Sequence, residues 1–133
     1  YIHRIQIEGR VLGDIARNHV IPTAVKYQNI LINNVKGLKD IYGSDYKKHA
    51  SEQLILIGDI SKYIKAINSG VTTMINERKK ANVISKSIEK AEAYCNKIKP
   101  MFDEIRYGCD KLELLIDDEL WPLPKYRELL FTR

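Results

Sequence analysis

The sequence predicts an all-α fold: an up-down-up antiparallel bundle of three long helices, followed by a short C-terminal helix or tail. Three observations carry this reading. From Ile88 to Ile116 apolar residues recur in alternating steps of three and four, at Ile88, Ala91, Cys95, Ile98, Phe102, Ile105, Cys109, Leu112 and Ile116. That spacing lays one apolar seam along a helix. A second series, Tyr46, Ala50, Gln53, Ile57, Ile60, Ile64, Ile67, Val71 and Met74, repeats the pattern. Two short breaks, one at Gly43 and one around Ile84, separate the helical stretches, and short connections make consecutive helices antiparallel neighbours. The seam helix would run roughly 43 Å. An apolar edge of that length is stable only when another helix covers it.

The elements follow in order. Residues 1–20 place Ile2, Ile5, Val11, Leu12 and Ile15 at helical spacing, with Gly9 and Gly13 on one side. Two glycines four apart let another backbone approach closely. The alternation Tyr1, His3, Ile5, Ile7 leaves a short strand as the rival reading there. Pro22 suits a first helical turn and disrupts an interior, so the first helix is expected to kink near it. The helix continues from Thr23 through Ala24, Tyr27, Leu31, Val35, Leu38 and Ile41, and stops at Gly43, a C-terminal cap. Ser44 or Asp45 caps the second helix. Its end at Arg78-Lys79-Lys80 suits the negative pole of a helix dipole. Ser85 or Ser87 is expected to cap the third helix, which carries the long seam and kinks near Pro100 on the side away from it. Beyond Asp117-Asp118-Glu119 the run Leu120-Trp121-Pro122-Leu123-Pro124 is rigid and extended. It leads to a last short helix, Lys125 to Phe131, expected to fold back onto the bundle or dock on a partner. The sequence shows no internal repeat beyond the heptads.

Bulk properties bound the function. A chain of 133 residues supports one domain with a real core. Hydrophobic content of 44% and charged content of 29% describe a globular chain rather than a disordered one. No stretch approaches the roughly 18 apolar residues that cross a bilayer. The chain opens on Tyr1 without a signal peptide, and is expected to be a piece of something longer. The net charge of +5 comes from 22 basic and 17 acidic residues with interspersed signs. That is a solvated helix surface, not the concentrated basic face of a nucleic-acid binder. Cys95 and Cys109 lie about 21 Å apart along one predicted helix, beyond the roughly 7 Å between Cα atoms that a disulfide spans. Both fall on the seam and read as buried, reduced thiols. A metal or catalytic role for them is the lesser alternative, since no second Cys or His stands at ligand spacing.

Catalytic chemistry finds little to build on. His3, His19 and His49 belong to different predicted elements, and the HExxH, CxxC, EF-hand, GxGxxG, P-loop and GxSxG patterns do not occur. Asp117-Asp118-Glu119 can hold Mg²⁺ weakly, although adjacent carboxylates in a turn are ordinarily solvated. Tyr27, Tyr46 and Tyr94 sit on or beside seams and read as core residues with a wet hydroxyl. No catalytic, cofactor-binding or metal-binding residue is therefore assigned. The residues by themselves describe a helical support or interaction region.

Two stretches add a resemblance. One runs from Ile7-Glu8-Gly9-Arg10-Val11-Leu12 through Asp14-Ile15-Ala16-Arg17-Asn18-His19-Val20-Ile21-Pro22-Thr23-Ala24-Val25-Lys26-Tyr27-Gln28. The other comprises Arg106-Tyr107, Asp110-Lys111-Leu112-Glu113-Leu114-Leu115 and Asp117-Asp118-Glu119-Leu120-Trp121-Pro122-Leu123-Pro124-Lys125-Tyr126-Arg127-Glu128-Leu129-Leu130-Phe131. Together they resemble the C-terminal region of type III glutamine synthetase, the large bacterial form of that enzyme. The resemblance implies a parent that condenses glutamate and ammonia with ATP, using Mg²⁺ or Mn²⁺. Its active site would lie upstream, at subunit contacts of a large homo-oligomer. The family's metal-binding and phosphate-gripping motifs have no counterpart in these residues, so Glu8, Arg10 and His19 stay structural. On this reading the 133 residues form one helical C-terminal domain without a cofactor of its own. Residues 1–21 are a lead-in helix packing on the catalytic domain, 22–117 the bundle and 118–133 a docking tail. The implied partners are the upstream catalytic domain and sister subunits, with no nucleic acid and no membrane, in the cytoplasm. A free-standing helical, coiled-coil-like adaptor or scaffold is the alternative.

Overall fold

In a computed structural model, which describes residues 1–121, helix runs through nearly the whole chain and no strand occurs among the described residues. Helix α1 covers Ile2–Ile15, α2 Ile21–Tyr42, α3 Tyr46–Asn82, α4 Ser87–Ala93 and α5 Lys99–Leu115. Two π-helical turns, Ala16–Val20 and Tyr94–Ile98, join α1 to α2 and α4 to α5, and a 3-10 turn, Gly43–Asp45, joins α2 to α3. The all-α class is as expected, and the rival strand at residues 1–7 is replaced by helix. The set of three long helices is not what forms. Two helices are long, α2 with 22 residues and α3 with 37. The first and third expected rods are each divided at a π turn.

Proline explains both divisions. A proline inside a helix offers no N–H, and its ring collides with the carbonyl four residues back. For Pro22 that carbonyl belongs to Asn18, and for Pro100 to Asn96. In both places the residue just before the proline bonds five residues back instead of four. The Ile21 N–H donates to the Ala16 carbonyl, and the Lys99 N–H donates to the Tyr94 carbonyl. The wider turn makes room for the ring without ending the helical path. The expected kinks are therefore π turns lying just ahead of each proline.

The extra residue rotates the faces that precede it. Beyond the second π turn Ile98, Phe102, Ile105, Leu112 and Ile116 are buried at their heptad positions. Ahead of Ile98 the seam slips by one residue. Tyr94 is fully buried where Cys95 was expected, and Ile88 is 75% exposed. The two thiols are thus not both core: Cys95 is exposed and Cys109 half-buried.

Gly43, at φ 61°, closes α2 as expected. Asp45 occupies the N-cap of α3, but its side chain makes no capping hydrogen bond. Neither Ser85 nor Ser87 caps α4. Lys86 holds that position in an extended conformation, which leaves Ser87 as the first helical residue.

Helix α3 is the axis of the molecule. The path α1–π turn–α2 runs antiparallel along it, with Gln6 near Asn82, Arg17 at Asn68 and Thr72, Gln28 at Ile57 and Ser61, and Asn34 at Gln53. Helix α5 runs antiparallel along another side, with Gly108 against Ile67 and Ile105 against Gly70. The glycines set this contact. A Cβ added to Gly108 would lie 2.5 Å from Ile67 Cγ1, and one added to Gly70 would lie 3.0 Å from Ile105 Cγ1. Each helix contributes one glycine notch and one isoleucine knob. Gly9 and Gly13 act differently from expectation, since side chains rather than a backbone fill their space: Phe102 and Met74 at Gly9, Met74 and Val71 at Gly13. Leu120 and Trp121 pack on the core. The expected helix from Lys125 to Phe131, with the rest of 122–133, lies outside the described residues.

Two glycine substitutions separate packing from propensity. Gly108→Ala is expected to cost about 1–3 kcal/mol through overpacking, despite gaining about 1 kcal/mol in helix propensity. Gly58→Ala, with nothing within 4 Å of its Cβ, is expected to gain about 0.5–1 kcal/mol. Urea unfolding midpoints measure both. A Gly108→Ala midpoint at or above the parent's would rule out the notch.

Candidate functional site

The junction of α1, α3 and the second π turn contains a polar node at the edge of the apolar core, with Gln6 half-buried and Asn82 exposed. The Tyr94 ring is fully buried. Its hydroxyl donates to Asn82 Oδ1 and accepts from Gln6 Nε2 at 2.8 Å. Gln6 Nε2 also lies 3.4 Å from Asn82 Oδ1. The hydroxyl expected to be wet is instead held by two amides from two other segments. The π turn is what aims it there, because a regular turn would present Cys95. Tyr27 is half-buried against the core, as expected, whereas Tyr46, also half-buried, is not part of the core cluster.

One turn along α1, a groove opens between α1, the first π turn and α3. Gly9, Arg10, Gly13, Asp14, Arg17 and Asn18 line one wall, and Val71, Met74, Ile75 and Arg78 line the other. Arg17 is clamped across it. Its Nε donates to Asn68 Oδ1 at 3.1 Å, and its Nη2 to Thr72 Oγ1 at 2.6 Å and to the Asn68 carbonyl at 3.4 Å.

The remaining chemically capable residues stay apart. His3 is on α1, His19 in the first π turn and His49 on α3, all exposed. His19 Nε2 lies 3.8 Å from Asp14 Oδ2, and His49 stacks on Tyr42 with ring centroids 3.6 Å apart. Glu8 pairs with Arg4 at 3.4 Å on the surface. Arg78, Lys79 and Lys80 diverge around α3, with Lys80 turned to Glu77 and Arg78 turned to the groove. Among the described residues no group of three or more His, Cys, Asp or Glu is placed to hold a metal ion. Burial and the nearby Asp110 charge push the Cys109 thiol up to about 11.

Residues 1–39 match the family model of the glutamine synthetase C-terminal domain. A glutamine synthetase of Bacteroides fragilis (strain YCH46) is 46% identical over 134 residues, which take in all of this chain and 18% of that protein. The chain belongs to the C-terminal region of glutamine synthetases. Type-3 glutamine synthetase of Dictyostelium discoideum is 26% identical over 140 residues, again all of the chain and 18% of the relative. Glutamine synthetase of Butyrivibrio fibrisolvens is 23% identical over 132 residues, 99% of the chain and 18% of the relative. The chain thus spans about a fifth of the length of these relatives.

Within this glutamine synthetase C-terminal region, the family match covers α1, the first π turn and all but the last turn of α2. That includes one whole wall of the groove and the Gln6 arm of the node. Sequence reasoning missed the node and the clamp. Gln6 is 88 residues from Tyr94, and Arg17 is 51 from Asn68. Only Tyr94, a tyrosine one residue off the seam, signalled a polar end inside the core.

Two measurements test the site. Tyr94→Phe is expected to cost about 1 kcal/mol, since it removes the hydroxyl while leaving Gln6 within reach of Asn82, and Tyr94→Ala at least about 3 kcal/mol by adding a cavity. Chemical denaturation reads both, and equal costs would show that the ring contributes nothing beyond its hydroxyl. The second concerns pH. A thiol raised in the folded state is ionised first in the unfolded chain, so stability is retained below about pH 9 and falls as pH rises towards 11. Cys109→Ala should flatten that fall. A wild-type and a variant curve that decline in parallel would remove Cys109 as its source.

Proposed function

We propose that this chain is a non-catalytic, structural and assembly region at the C-terminal end of a glutamine synthetase. The whole enzyme would join glutamate and ammonia to make glutamine at the expense of ATP, with Mg²⁺ or Mn²⁺ at an active site built elsewhere in the polypeptide. The observation that carries this is the alignment of the entire chain, at 46% identity, with 18% of a glutamine synthetase. On this reading residues 1–21 would lead in from the catalytic part, 22–117 would form the helical body, and 118–133 would dock. The expected setting is a cytoplasmic homo-oligomer. No helix among the described residues is long and apolar enough to cross a membrane.

The distribution of apolar surface agrees with a role in contacts. Ile30 and Ile41 on α2 and Leu54 and Ile55 on α3 are exposed at the hairpin end, away from the α1–α5 junction. Ile7, Val11, Val83, Ile88 and Leu114 are exposed elsewhere on the molecule, and aliphatic surface spread over several faces suits burial against the catalytic part or a sister subunit.

The test uses the full-length polypeptide that carries this sequence, the same polypeptide lacking residues 1–133, and the 133 residues alone. The expected outcome is ATP-dependent glutamine formation by the first and none by the last. Light scattering should show that the deletion breaks or loosens the oligomer. Turnover by the 133 residues would overturn the non-catalytic role. A deletion that leaves assembly and melting temperature unchanged would overturn the structural one.

A further inference from the structure

We infer that the groove between α1, the first π turn and α3 is a binding site for a small organic anion, a carboxylate or phosphate carried on a short carbon skeleton. This goes beyond the assembly role and does not rest on it. The cavity measures ≈ 260 Å³, below the roughly 300–1,000 Å³ of drug-sized ligand pockets, so its occupant is small. Gly9 and Gly13 line it without side chains of their own. An added Cβ at either glycine would rest in ordinary contact with Met74, 3.5 Å away, so only a larger side chain would reach into the cavity. Buried Met74 and Val71 make the floor apolar. Three guanidiniums, Arg10, Arg17 and Arg78, stand around it against one carboxylate, Asp14.

The charges are arranged for an incoming anion. Arg17 is held by an amide oxygen, a backbone carbonyl and a hydroxyl. These neutral acceptors fix its direction and leave its charge uncompensated. Arg10 and Arg78 have neither a hydrogen bond nor an ion pair with any described residue. Arg78 is also half-buried, where a guanidinium without a counter-charge is costly. The Asp14 carboxylate is turned along its own helix, accepting from Asn18 Nδ2 at 2.6 Å and lying 3.8 Å from His19 Nε2. Arginine's planar fork matches carboxylate and phosphate oxygens two at a time. The apolar floor below that rim favours a ligand with carbon as well as charge.

Calorimetric titration of the full-length polypeptide with succinate, phenyl phosphate and inorganic phosphate tests this, with neutral succinamide as the control. One of the two organic anions should bind saturably, and which one binds identifies the head group. Arg10→Gln and Arg78→Gln should each weaken that binding by about tenfold or more. Gly13→Leu, which fills the cavity, should abolish it without lowering the melting temperature. Because another anion site in the same polypeptide would be indifferent to these three changes, the variants assign the signal to the groove. Circular dichroism confirms that each variant folds, and Arg78→Lys, which keeps the charge, should restore part of the affinity if Arg78→Gln misfolds. Absence of saturable binding by either organic anion would overturn the site, as would binding unaffected by Arg10→Gln and Arg78→Gln. Inorganic phosphate binding as tightly as the organic anions would overturn the role given to the apolar floor.

Discussion

Ile67 fits the notch at Gly108, and Ile105 fits the notch at Gly70. This reciprocal contact fixes the register of α3 against α5, because a slide by one turn in either direction would set isoleucine against a full side chain. Interiors packed at crystal-like density do not absorb that clash. The rest of the junction follows from the register. Phe102 comes to the level of Gly9, which has no Cβ to resist it. Tyr94 comes to the level of Asn82, and Gln6 reaches both. The groove beside Gly13 has its depth because Met74 and Val71 are held in the same layer.

The two π turns solve one steric problem twice. In each, the first and fifth residues are buried (Ala16 and Val20, Tyr94 and Ile98), the third is an asparagine, and a proline follows two residues after the turn. The likeness follows from the proline itself, which must push away the carbonyl of that third residue. A proline in a regular helix would kink the rod. A wider turn keeps the path and changes the face instead. At Tyr94 the change of face places a hydroxyl against two amides. At Arg17 it sends a guanidinium across α3 to Thr72.

How far this was legible depended on how far each cause lay along the chain. The burial of Ile98, Phe102, Ile105, Leu112 and Ile116 was readable because a heptad is local and nothing interrupts it. Cys95 was misplaced because Pro100 acts backwards by a turn, altering the helix ahead of itself. Gly43 was readable, since ending a helix is a local conformational demand. Gly70 and Gly108 were not. In a sequence a helical glycine registers as a cost, and the isoleucine that repays it belongs to another helix. The two glycines that did draw notice, Gly9 and Gly13, proved to open space for side chains and a groove. The clamp of Arg17 and the node at Tyr94 combine residues far apart in the chain, with no common motif. Relation to glutamine synthetases came from the unusual end segments, which periodicity could never have supplied.

Order is unevenly distributed along α3. The largest fully buried side chains are Tyr94, Ile60, Ile67, Ile98, Ile105, Leu112, Val20 and Val71, and those of them on α3 lie from Ile60 onward. Toward the 3-10 turn the buried apolar residues are smaller or fewer, Leu31 and Ala50, joined by surface pairs such as Asn34 with Gln53 and Tyr42 with His49. Local stability tracks buried apolar contact, so the hairpin end would open at lower free energy than the junction if each stood alone. The two do not stand alone, because α3 is continuous over 37 residues. A helix propagates more easily than it nucleates, so α3, held at the junction, continues into the hairpin and gives α2 a surface to pack on. The hairpin end that exposes Ile30, Ile41, Leu54 and Ile55 is thus tied to the glycine-notched contact of α3 with α5 through one unbroken helix.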